Sequence, residues 1–362
     1  MKTYLKFTFA LVLSTFYCFP SSALHPTNNI LDNSDITWAA EVYTDYTPNV
    51  NYFALGRKKM QKQYGISRST FSTLKIQQAS SDHINLDDLT LARKILNMSN
   101  NSSSLFKDAS LSTPLSYADY LKITQETTYD TTFVSQPEGT KTMQIIANKI
   151  NINEIQLFRV KQILHYNEKT NELGLTPIAI APILSSYDKE GKLIGTTPLF
   201  WMSVQAIAEQ LDLNAATINW AKRLTRSIDT DEVTVIKGNH SFATILNKIL
   251  YRYTQTPNTS KLYHTYGKMT PMSPQEIKKL NSGLDTLITF DPVTFEEKVS
   301  VINNTPTPET MHTIRIVQDW IWNEDTQNIS IRLVAFAPLL KRYDNHKNFL
   351  HSGPMFYKKP NE

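Results

Sequence analysis

One block of this sequence is written twice. Residues 158–201 read FRVKQILHYNEKTNELGLTPIAIAPILSSYDKEGKLIGTTPLFW. Residues 314–357 read IRIVQDWIWNEDTQNISIRLVAFAPLLKRYDNHKNFLHSGPMFY. The two align without a gap, Phe158 against Ile314 and Trp201 against Tyr357. A block of this size is too large for a solenoid module, so the chain reads as two copies of one folding unit. Its 362 residues agree, because a single core of that length is unusual.

The repeat predicts a three-stranded antiparallel meander in each copy. The first strand spans Leu157 to Tyr166, or Ile314 to Trp322. The turns Asn167–Glu172 and Asn323–Asn328 are rich in Asn and Asp, which bond to their own backbone. The second strand spans Leu173 to Leu184, or Ile329 to Leu340, with the alternation of a half-buried strand. Pro182 and Pro338 share one place near its end, which predicts an edge or a bulge there. A second turn, Tyr187–Lys192 or Tyr343–Asn348, leads to a strand ending in Pro198–Trp201 or Pro354–Tyr357.

The likeness extends upstream. ITWA at Ile36–Ala39 matches INWA at Ile218–Ala221. Amphipathic helices are expected around Leu86, Leu89, Ile95 and Leu96, and around Phe242, Ile245, Leu246, Ile249 and Leu250. A short second helix follows in Thr113–Leu121 and Thr270–Leu280. Ser273, Pro274 and Glu276 spell a capping box with proline at the first position, and Ser116 and Asp119 play the same parts less well. The expected fold is α+β: two homologous domains, 36–202 and 218–358, side by side, each with short helices and a meander. Residues 203–217 are expected to form a linker helix.

The N-terminus carries Lys2 and Lys6, an apolar run from Phe7 to Phe19, and small residues Ser21 and Ala23. That is a signal-peptide pattern over residues 1–23, with cleavage after Ala23. The run is too short for a comfortable membrane span. The only cysteine, Cys18, lies inside it; Tyr17 is too bulky to precede a lipidated cysteine, which favours plain secretion. The exported chain would then have neither disulfide nor thiol nucleophile.

The pattern resembles the GldN (PorN) family of the type IX secretion system of Bacteroidetes. The resemblance rests on Trp220, Lys222, Arg226, Ile228 and Asp229, then on Asp319, Trp320, Arg332, Ala335, Phe336, Ala337 and Pro338. Ala179–Pro182 and Leu199–Trp201 match in the first copy. Two departures stand out. The family usually has one unit and a C-terminal extension, where this chain has a second unit. The first unit has Ala40, Thr44 and Thr47 in place of the charged residues of the opening motif. The resemblance implies a non-enzymatic periplasmic component of the secretion and gliding-motility apparatus. Its partners would be an outer-membrane lipoprotein of the GldK/PorK kind and a component linked to the inner-membrane motor. Homo-oligomers are implied as well.

The residues point to no catalysis. The histidines have no paired ligand spacing, and no GxSxG, GxGxxG or P-loop pattern occurs, so neither metal nor cofactor is expected. The net charge of +4 is too mild to argue for nucleic acid. Asp188 and Asp344 recur as a carboxylate at one place in both copies; a backbone-bonding turn role is favoured over hydrolysis. Trp38 and Trp220 read first as core residues and second as interface anchors. Trp320 and Trp322 share one strand face and Ile321 lies on the other, one face for the core and one for a neighbour. The partner-binding candidates are Trp220, Arg226, Asp229, Trp320, Trp322, Arg57, Lys58, Lys59 and Lys62. The last four belong to a basic insertion, 57–75, which offers an alternative function: binding a cell-envelope polymer.

Overall fold

The computed structural model describes residues 26–47, 69–72, 91–98, 105–125, 128–135, 141–148, 150, 155, 157–187, 193–204, 218–290, 293–344 and 346–360. The segment expected to be a signal peptide lies outside the described residues. In the first half the order is α1 (Pro26–Asp32), β1 (Ile36–Tyr46), β2 (Ser69–Ser72), α2 (Leu91–Leu96), β3 (Leu105–Phe106) and α3 (Tyr117–Gln125). Then come β4 (Thr128–Ser135), β5 (Lys141–Asn148), β6 (Leu157–Asn167), β7 (Glu172–Tyr187), β8 (Leu193–Pro198) and β9 (Trp201–Ser203). The second half runs β10 (Ile218–Asp229), β11 (Val233–Lys237), α4 (Phe242–Gln255), α5 (Pro274–Lys279), β12 (Leu284–Phe290) and β13 (Glu297–Asn303). It ends with β14 (Thr313–Asn323), β15 (Asn328–Tyr343) and β16 (Phe349–Pro354). The fold is mostly antiparallel sheet with a few short helices, gathered into two sheet-rich parts.

Both meanders form. β6–β7–β8 and β14–β15–β16 pair antiparallel, and β1 and β10 take the same place beside β6 and β14. Irregularities repeat too. A register shift falls beside Gln162 in one sheet and Gln318 in the other. In the turns, Asn167 Oδ1 accepts from the Lys169 and Thr170 amides, and Asn323 Oδ1 from Thr326. Each turn closes on a left-handed residue, Asn171 (φ 57°) or Gln327 (φ 49°). The Ser273–Glu276 capping box forms as expected, with Pro274 in the first turn.

Two local expectations are corrected. Pro182 and Pro338 lie within sixteen-residue strands, opposite Phe158 and Ile314. A residue's N–H and C=O point to one side of a strand. The proline carbonyls accept from Leu199 and Met355, so the missing donors face the break where β8 gives way to β9, and its counterpart after β16. The expected linker helix also fails at its start: Ser203 ends strand β9, which pairs with β7. Residues 205–217 lie outside the described residues.

The two copies are interlocked rather than side by side. β11, from the second half, adds to the open edge of β1, Val42 opposite Val233. β2, from the first half, adds to β10, Arg223 opposite Ser72. The helices cross over as well. Phe242, Ile245, Leu246, Ile249 and Leu250 of α4 share a core with Trp38, Leu164, Tyr166, Leu173 and Leu175 of the first sheet, and with Ile314, Ile316 and Phe336 of the second. Leu91, Ala92, Ile95 and Leu96 of α2 share the other with Phe158, Val160 and Ile180, and with Trp220, Trp322, Ile329 and Ile331. Trp38 stacks on Phe242 at 5.6 Å. Even the helix-to-turn ion pairs are reciprocal: Lys94 of α2 meets Glu324 (3.0 Å), and Lys248 of α4 meets Glu168 (2.6 Å). The sequence repeat explains why this escapes a one-dimensional reading. Each strand asks for an apolar helix, but two similar helices are on offer.

At the centre Gln318 Nε2 donates to Oε1 of Gln162, its equivalent 156 residues away, at 2.6 Å. The Tyr46 hydroxyl donates to Gln318 Oε1 (2.7 Å), and Gln162 Nε2 donates to Thr44 Oγ1 (2.7 Å). All four side chains are buried, and burial pushes the Tyr46 phenol up to about 12. Contact between equivalent residues is the mark of an isologous pair. A buried polar network with its bonds made fixes one register of the halves.

His165 lies on β6 opposite Gly174 of β7. A Cβ on Gly174 would stand 2.3 Å from His165 Nε2, so the glycine makes room for the ring. Burial holds the imidazole below its ordinary value. The unfolded chain therefore takes up this proton near pH ~6.5, and the folded chain only at lower pH. Stability is full above that pH and declines as pH falls through it, until the folded imidazole also protonates. His165→Gln is expected to flatten the decline in urea midpoint between pH 7.5 and 5.5; equal slopes for both proteins would contradict this.

Candidate interaction site

The aromatic candidates lie in the core. Trp220, Trp320 and Trp322 are buried in the cluster around α2, with Trp320 4.8 Å from the Tyr46 ring. Ile321, on the opposite face of the strand, is buried too, so neither face is left for a neighbour there. β14 is covered on both sides at this point, because the halves interlock. Arg226 and Asp229 build a corner. Arg226 Nη2 donates to Glu232 (2.8 Å), the Asp229 amide donates to Glu232 (2.8 Å), and Thr313 Oγ1 donates to Asp229. This corner turns β10 into β11 and sends it across to the other sheet. Burial lowers the ammonium of Lys222 on the same strand.

Arg57, Lys58, Lys59 and Lys62 lie outside the described residues; of the insertion 57–75, only Ser69–Ser72 is described, as β2. Asp344 accepts from the His346 and Asn348 amides (2.8 Å each) and from Asn348 Nδ2 (2.9 Å). The Asn348 side chain and these amides hold its carboxyl below the usual range, so it serves its own turn. Asp188 lies outside the described residues. His264 stands 3.4 Å from Glu276. Among the described residues no three His, Cys, Asp or Glu side chains gather as a metal site.

Asp319 carries the most concentrated electrostatics. Its side chain is fully buried and lies between two arginines. Arg223 grips it through Nε (2.7 Å) and Nη2 (2.9 Å), and Arg332 through Nη2 (2.9 Å) and Nε (3.2 Å). The triad ties β10, β14 and β15 together.

A feature the sequence reading missed is a pair of two-stranded ribbons, β4–β5 and β12–β13. In β12–β13, Ile288 pairs with Val299 and Thr286 with Val301, so Ile288, Phe290, Val299 and Val301 line one face. All four are exposed, and at the tip Val293 is 83% and Phe295 78% exposed. Alternation in LDTLITF and EKVSVIN around Asp291–Pro292 was the available signal. At the ribbon's foot Gly283 (φ +64°) lies so near Thr305 that a Cβ would stand 2.2 Å from its backbone.

Beside that foot is a cavity of about 240 Å³. Met272, Leu280, Leu340 and Met355 give it apolar walls, Lys279, Arg342 and Glu276 a charged lining, and His264 completes the polar side. An apolar ribbon and a basic-rimmed hollow offer binding chemistry.

Doubled antiparallel sheets that trade edge strands and helices define an internally duplicated, sheet-rich protein. Among the described residues no helix is long and apolar enough to cross a membrane. A family model described as Gliding motility associated protein GldN matches the sequence twice, over residues 69–212 and 213–359. The chain belongs to that family, whose members are components of the gliding-motility and type IX secretion apparatus. The first match begins beyond β1, whereas the second takes in β10. No curated protein matches the chain.

Proposed function

We propose that the protein is a non-enzymatic structural component on the periplasmic side of that apparatus, held at the outer membrane by a lipoprotein partner and assembling with further copies of itself. The observation that carries this reading is the pair of adjoining family matches on two halves that exchange strands. One chain thus supplies two joined family units. Residues that carry the family resemblance serve this joining: Arg226 and Asp229 turn the exchanged strand, and Asp319 braces the sheet behind it. The signal-peptide pattern supports export. Domain limits of 36–202 and 218–358 follow the sequence repeat, while the cores are common property of both.

Native mass spectrometry of protein extracted from cell envelopes tests the reading. The expected result is a large complex holding several copies with an outer-membrane lipoprotein. A monomer that carries nothing with it would overturn the proposal.

A further inference from the structure

We propose that the β12–β13 ribbon of one copy docks into the cavity beside α5 of a second copy, with Phe295 entering it. This rests on the reading of the protein as part of an assembly. A lone two-stranded ribbon is marginal in water, and an apolar face on it calls for a cover. Next to Phe295 the ribbon carries Glu296 and Glu297 against Lys298. The cavity presents Lys279 and Arg342 against Glu276. Acid thus faces base across the contact, whereas two ribbons laid face to face would set acid against acid.

Size agrees: cavities of about 150 Å³ hold a benzene ring, and this one has about 240 Å³. Its own ribbon is badly placed to fill it. Gly283 and Asn304, at the ribbon's foot, form part of the cavity wall. The seven residues of β12 carry the tip roughly 20 Å away at ~3.3 Å per residue. Ribbon into cavity is a head-to-tail contact, which propagates into a ring or a filament.

The test uses purified full-length protein in a Cys18→Ser background, with sedimentation to follow assembly. Phe295→Asp is expected to raise the concentration for half-assembly about thirtyfold, with unfolding unchanged because the tip is exposed. Lys279→Glu and Glu296→Lys are each expected to raise it about threefold, and the two together to restore it. Under oxidant, Phe295→Cys with Met272→Cys is expected to give covalent dimers and longer ladders.

Several results would overturn the docking. One is wild-type assembly in Phe295→Asp, which leaves the assembly reading standing. Others are a Phe295→Cys dimer that forms without the Met272→Cys partner, and a bond closed within one copy. Capture of the wild type on phosphatidylethanolamine vesicles, lost in Phe295→Asp, would assign the ribbon to a lipid surface instead. A wild type that stays monomeric, pure and in envelope extracts alike, would remove the assembly reading and the docking with it.

Discussion

Severed between Val204 and Ile218, neither half of this protein is expected to fold as a monomer. α4 supplies Phe242, Ile245, Leu246, Ile249, Leu250 and Tyr253 to a core whose first-half members are Trp38, Leu164, Tyr166, Leu173 and Leu175. Six such side chains are worth about 9–18 kcal/mol when fully buried, at roughly 1.5–3 kcal/mol each, and severing strips away the first-half side of their cover. That matches the whole net stability of a typical domain, about 5–15 kcal/mol. The loss is mutual, since α2 completes the core around Trp220 and Trp322. Produced apart, the halves should be unfolded or paired with their own kind; mixed from denaturant, they should recover the sheet spectrum of the intact chain as a one-to-one complex. A half that sediments as a compact monomer with a cooperative unfolding transition would refute the shared core.

The second large effect concerns Asp319. Asp319→Ala is expected to cost about 3–5 kcal/mol, because it leaves Arg223 and Arg332 half-buried without their counter-charge. The first sheet has no such triad: Ile163, Glu41 and Thr176 occupy the corresponding places, and Glu41 pairs with Lys161 at 2.7 Å. The damage should therefore begin in the second sheet. Combining Asp319→Ala with Arg223→Met and Arg332→Met should return much of the loss, since apolar replacement of a complete buried ionic group is often neutral. Chemical denaturation of the single and triple variants decides it. If Asp319→Ala unfolds at the wild-type urea concentration, the triad is not holding the sheet.

The parts of the fold that were legible in the sequence are governed by near neighbours. Asn167 and Asn323 announce their turns because a side-chain oxygen reaches amides only two or three residues away. Ser273 and Glu276 cap α5 for the same reason. Alternation located β15 because its first residues have one covered face. β1 gave a weaker signal: covered by a helix on one side and by α1 and the chain around it on the other, it loses most of its alternation. The exchange of β2 and β11 left no local mark, since either copy's strand satisfies the same edge.

The candidate site divides along similar lines. Tryptophan is favoured equally by cores and by interfaces, so composition alone could not say that Trp220, Trp320 and Trp322 face inward. Arg226 and Asp229 were expected to bind a partner, and the bonds they make run to Glu232 and Thr313 within the chain. The ribbon β12–β13 lay outside the repeated block that drew the comparison. Its apolar residues could be seen in the letters, but their exposure depends on what fails to pack over them.

The meeting of Gln162 with Gln318 has a consequence for bookkeeping by subunit number. Partners that ordinarily must find one another by diffusion are here tethered, so their union is a first-order event that dilution does not reverse. Every structure assembled from whole chains then holds family units in even tally, one of each kind per chain. The two kinds differ at their rims, so each tandem also carries a direction, which a union of two identical units would lack.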